Sequence, residues 1–123
     1  MKRPSHKELY NKLREARRAV SKGLISLLNQ DIIAADAIEL EYSIETELIA
    51  VLKQLLDYTT PGDYAGSRPP QKSYEREIAG LDLFPFVAEC RRFKCRVYYK
   101  LALVEGRLWL VSLHQDRPIK EES

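Results

Sequence analysis

Cys95-Arg96-Val97-Tyr98-Tyr99-Lys100-Leu101-Ala102-Leu103-Val104-Glu105-Gly106-Arg107-Leu108-Trp109-Leu110-Val111-Ser112-Leu113-His114 is the stretch on which the fold turns. Two runs rich in β-branched and aromatic residues flank Glu105-Gly106, a pair suited to a tight hairpin turn. A two-residue loop sets Val104 opposite Arg107. It then pairs Leu103 with Leu108, Leu101 with Leu110, Tyr99 with Ser112, and Val97 with His114. Side chains alternate across a strand, so those last eight share one mostly apolar face, and His114 falls on it. The other face carries Arg96, Tyr98, Lys100 and Ala102 against Gln115, Leu113, Val111 and Trp109. A three-residue loop would slip the register by one and break this assignment.

Cations gather around this hairpin. Arg91, Arg92 and Lys94 lie just before its first strand and Arg117 just after its second. Together with Arg96 and Lys100 they place six cations at one end of a small sheet. Such a surface suits phosphate, with Tyr98 and Trp109 available for base stacking. Edge strands also carry Lys and Arg simply to discourage aggregation, and only position in space separates the two explanations.

Upstream, Phe84 to Arg91 is predicted as a strand with proline near its start. It completes a three-stranded antiparallel meander. Thr59 to Pro70 holds three prolines and two glycines without periodicity and is expected to be a loop. A short helical piece is expected over Ser73–Ala79, stopped by Gly80. Leu48, Val51, Leu52 and Leu55 mark the buried face of a helix over Glu47–Tyr58, with carboxylates at its positive end. Ile38-Glu39-Leu40-Glu41-Tyr42-Ser43-Ile44-Glu45 alternates apolar and polar residues without a break, and period two favours a half-buried strand. One continuous helix from Asp31 is the alternative. At the start, Ser5 and Glu8 form a capping box. Leu9, Leu13, Ala16, Val20 and Leu27 follow at helical spacing, with Leu24 in support. That helix ends at Gly23 or runs on to about Leu28.

In this order the chain resembles the RelE/HigB/ParE-like toxin superfamily over residues 38–118. Cys90-Arg91-Arg92-Phe93-Lys94-Cys95-Arg96-Val97-Tyr98-Tyr99 is similar to the family's Arg-bearing strand followed by an Arg-Val-x-Tyr strand. Gly106 to His114 resembles its final apolar strand, which precedes a basic residue, here Arg117. Ser73–Ala79 then stands for the second helix of the family's helical pair. The resemblance implies an α+β fold: an N-terminal helix (residues 1–30, an extension of a single domain 1–123), then strand, helix, loop and a RelE-like meander. It implies an RNA- or ribosome-interacting protein and, in the RNA-cleaving branch, a metal-independent endoribonuclease with no cofactor. Arg91 or Arg92 and Arg96 would hold the scissile phosphate. Arg117 would stabilise developing charge, and His114 or Tyr98 would assist proton transfer. Lys94, Lys100 and Trp109 would belong to the nucleic-acid surface.

Composition bounds the alternatives. The chain has 123 residues with a formal charge of only +2, a size for one domain and no overall polybasic character. Residues 1–30 carry eight basic and two acidic groups, whereas residues 31–60 carry one basic and seven acidic. These blocks could pack on each other or on a second copy, which makes a dimer or a non-enzymatic interaction protein built through residues 1–58 the competing expectation. No apolar run approaches the ~18–20 residues of a membrane span, and no signal-peptide core follows the basic start, so a cytoplasmic protein is expected. Cys90 and Cys95 with His114 make at most three ligands where a structural zinc site uses four, and no metal is expected. The cysteines read as small buried hydrophobes.

Overall fold

A computed structural model describes residues 5–66 and 70–116. Helix α1 spans His6–Ser21 and opens with the expected capping box. Ser5 Oγ accepts from the Glu8 amide at 3.1 Å, and the Glu8 carboxylate accepts from the Ser5 amide at 2.9 Å. Leu9, Leu13, Ala16, Ala19 and Val20 are its buried stripe. The helix ends before Gly23, which takes φ +71°. The Gly23 amide returns to the Val20 carbonyl and the Leu24 amide to that of Ala19, the reversal that glycine permits at a helix end.

That reversal frees a strand the sequence did not announce. β1 is Ile25–Leu27, and it lies parallel to the last strand, with Ile25 opposite Leu108 and Leu27 opposite Leu110. Leu24 and Leu27 therefore belong to this crossing and not to the apolar stripe of α1.

Residues 38–45 are not a strand. α2 runs over Gln30–Leu40 and α3 over Ile44–Tyr58. Between them Glu41 takes φ +63° and turns the chain. Ser43 caps α3 by accepting from the Thr46 amide at 3.3 Å, while its own amide donates to the Glu47 carboxylate at 2.7 Å. The alternation thus strings together a helix end, a corner and a helix start. Ile38, which a strand would have buried, is 78% exposed. At the far end of α3 the Arg17 guanidinium donates to the carbonyls of Leu56 (2.7 Å) and Thr59 (3.4 Å). There Thr59 Oγ1 donates to Leu55 O and shares a 2.6 Å hydrogen bond with the Tyr99 hydroxyl.

Strands β2 (Phe84–Cys90), β3 (Cys95–Val104) and β4 (Arg107–Gln115) form the expected antiparallel meander. With β1 the sheet is four-stranded and mixed, in the order β1-β4-β3-β2, so the molecule is α+β but not a pure meander. Phe86, Tyr99, Leu101, Leu108, Leu110 and Leu113 face the helices and share one core with α1, α2 and α3. Each such side chain contributes ~1.5–3 kcal/mol through burial. The expected helix over Ser73–Ala79 shrinks to a single 3₁₀ turn, Arg76–Ile78. Its segment folds across one end of the opposite sheet face, where Leu28, Ile78, Leu83, Ala102 and Val111 form a second, smaller cluster.

The ion pairs between described residues are Lys12–Glu15 within α1, Lys72–Asp82, and Arg92–Glu47. None of these three joins the basic α1 to the acidic α2–α3 block. Among the described residues no helix is long and apolar enough to cross a membrane.

Candidate nucleic-acid interface

The hairpin register holds near its turn and then changes. Glu105 and Gly106 take φ +51° and +79°, both positive as the tightest hairpin turn requires. Val104–Arg107, Leu103–Leu108, Ala102–Trp109 and Leu101–Leu110 pair as expected. Beyond Leu110 one extra residue, Val111, enters β4, so Lys100 faces Ser112, Tyr99 faces Leu113 and Tyr98 faces His114. A bulge of this kind flips the remainder of the strand to the other face. His114 is therefore not on the apolar face opposite Val97. It stands on the open face beside Tyr98, and Leu113 takes the buried position.

The result is a stacked pair. The Tyr98 and His114 rings lie 5.1 Å apart, centroid to centroid, at an interplanar angle of 16°. His114 Nδ1 is 2.8 Å from the Gln115 carbonyl oxygen. A carbonyl only accepts, so Nδ1 carries the hydrogen and, in the neutral ring, Nε2 is left as the basic nitrogen. Burial pushes the Tyr98 phenol above its ordinary value, which keeps it a neutral donor and stacking surface at neutral pH.

Arg96 and Lys100 flank Tyr98 at alternate positions of β3, each about 7 Å along the strand. Glu89 stands directly across from Arg96 on β2 and tempers its charge. Beside Tyr98 and Lys100 a cavity of about 230 Å³ is lined by Gly66, Gln71, Leu83 and Pro85. Gly66 is required there by close approach. A Cβ at that position would lie 2.4 Å from the Tyr64 hydroxyl and 2.9 Å from Pro85 Cδ.

The remaining candidate residues are dispersed. Arg92 is drawn toward the helices, where it pairs with Glu47 of α3. That contact and the Ser43 amide hold the Glu47 carboxyl below its ordinary value, the amide being the larger cause. Next to it Phe93 packs on Tyr42, with centroids 5.7 Å apart. Arg91 and Lys94 line a second cavity, of about 370 Å³, with Arg96 and both cysteines. Trp109 pairs with Ala102 and packs against the second cluster, four residues along β3 from Tyr98. Arg117 lies outside the described residues. Cys90 and Cys95 face each other across β2 and β3, whereas His114 is on the opposite face, so the three do not converge. Ser112, across from Lys100, is a polar neighbour of the site that parity without a bulge had placed on the apolar face.

No protein-family model matches the chain, and no curated protein matches it.

Proposed function

We propose that the protein binds single-stranded RNA on the open face of its sheet, in the manner of a RelE/HigB-type protein. One observation carries this: an aromatic stack, Tyr98 on His114, stands between two cations of the same strand, Arg96 and Lys100. Stacked rings accept a base of any identity, and flanking cations accept the adjoining phosphates. The element order from β1 onward is strand, two helices and three strands, with the helical pair supplied by α2 and α3. This order supports the likeness to that superfamily.

The same side chains are suited to metal-independent cleavage. With Nδ1 tied to a carbonyl, His114 Nε2 is the atom to take a proton from a 2′-hydroxyl as it attacks the neighbouring phosphate. Arg96 and Lys100 would neutralise the charge that develops there. The neutral Tyr98 phenol would donate toward the departing 5′-oxygen.

Titration of the protein into a labelled single-stranded oligoribonucleotide, over a range of salt, tests the proposal. Affinity should fall with ionic strength by a log–log slope of about −0.7 per phosphate contact. Arg96→Ala and Lys100→Ala should each weaken binding for all sequences and flatten that slope. An absence of binding at low salt refutes the reading. Cleavage in the presence of EDTA that disappears in His114→Asn, with affinity retained, assigns the catalytic role; binding without cleavage in the wild type restricts the function to recognition.

A second reading has its own support. Tyr10, Ile32, Ile38, Ile49 and Tyr58 are exposed, and all lie in the segment expected to hold a partner. Sedimentation across a concentration series would reveal a dimer built on that surface.

A further inference from the structure

Cys90 and Cys95 are direct register partners at the end of the β2–β3 ladder, and both are free thiols. Opposed residues of an antiparallel pair have Cα atoms ~4.5–5.5 Å apart, within the ~4.4–6.8 Å that a disulfide spans. Their side chains share the helix-facing side. Cys90 is fully buried, and Cys95 is partly exposed. Both open onto the cavity of about 370 Å³ whose other walls are Arg91, Lys94, Arg96 and Glu89, three cations to one carboxylate.

We propose that this pair is a dithiol–disulfide couple that reacts with anionic low-molecular-weight disulfides of the glutathione type, independently of any role in RNA binding. Cys95, the accessible thiol, gives its proton to solvent and attacks one sulfur of the reagent. That forms a mixed disulfide and releases one thiolate, which takes up a proton to become the thiol. Cys90 then loses its proton and attacks the Cys95 sulfur, closing the protein disulfide and releasing the second thiol. Two protein S–H bonds become one S–S bond, and the reagent disulfide is reduced to two thiols. The cations around the cavity attract the carboxylates of such a reagent. Burial, with Cys90 alongside, pushes the Cys95 thiol up, so little thiolate is present at neutral pH and the exchange, slow there, quickens as pH rises.

The geometry also fixes the character of the bond. The ring it closes contains only the turn 91–94, so it constrains the unfolded chain little. A bond over a short loop, with the Cys95 sulfur open to an attacking thiol, is readily reduced. It is a switch at the root of the turn that bears Arg91, Arg92 and Lys94, not a staple.

The full-length protein under native conditions, treated with oxidised glutathione and followed by intact mass, decides the matter. The wild type should pass through a glutathionyl adduct and end two hydrogens lighter as a monomer. Cys90→Ser should stop at the adduct, and Cys95→Ser should remain unmodified. Cystamine, a cationic disulfide, should react several-fold more slowly than oxidised glutathione, and added salt should narrow the gap. A wild type that stays reduced, halts at the adduct or joins two chains overturns the couple, whatever the variants do. Equal rates with the two reagents overturn the reagent class.

Discussion

Tyr42 buries its ring against Phe93 and leaves its hydroxyl without a hydrogen-bond partner among the described residues. A buried polar atom left unmatched costs ~1–3 kcal/mol. Tyr42→Phe should therefore raise stability by about 1 kcal/mol, read as a higher urea midpoint with an unchanged slope. The same burial, with Asp36 adding, pushes the Tyr42 phenol up to about 12. Tyr99 is also raised, chiefly by burial and despite its hydrogen bond to Thr59. Folded-state values above the unfolded value of ~10 mean that this stabilisation is complete below pH ~10 and is lost as pH climbs through the folded values. Stability should fall steeply between pH 10 and 12, by on the order of 2–3 kcal/mol for Tyr42 alone. Tyr42→Phe should fall less steeply in the same urea series. Residues such as Ser5 and Glu8 were legible because both partners of the cap sit within one turn. The Thr59–Tyr99 contact, 40 positions apart, has no local mark in the chain.

Among the elements, β4 shows most plainly what a pattern holds and how it is missed. Its buried leucines stand at 108, 110 and 113. Two even positions followed by an odd one are the trace of an inserted residue, visible in the sequence to a reader who tests for a change of phase. Deleting Val111 should restore continuous pairing while keeping Leu113 opposite Tyr99 and His114 opposite Tyr98. The expected outcomes are a loss of ~1.5–3 kcal/mol from the missing buried valine of the second cluster and retention of the ring-current shifts between the two rings in the NMR spectrum. The turn at Glu105-Gly106 and the capped start of α1 were readable because local chemistry fixes them. The corner at Glu41 was not, since a glutamate in the left-handed region is an exception that no local preference predicts. β1 escaped for another cause. A three-residue strand paired in parallel with a distant partner leaves too short a pattern to separate from a helical one.

For the whole molecule, that parallel crossing makes the N-terminal segment part of the fold and not an extension of it. α1 supplies five buried side chains to the core, and β1 covers the outer edge of β4. Removing residues 1–28 should expose that edge and the apolar seat of α1 together. Circular dichroism and solubility should report an unfolded or aggregating chain, and a folded, monomeric remnant would contradict this account. The crossing also sets an order of events during synthesis. Ser26 and Arg107, joined by a 2.9 Å hydrogen bond, are 81 positions apart. At about 5–20 residues per second, the first strand waits roughly 4–16 s for its neighbour to be made. Throughout that interval the greasy side of the first helix has no finished sheet to lie on, so the newborn chain carries it uncovered until the last strand is made.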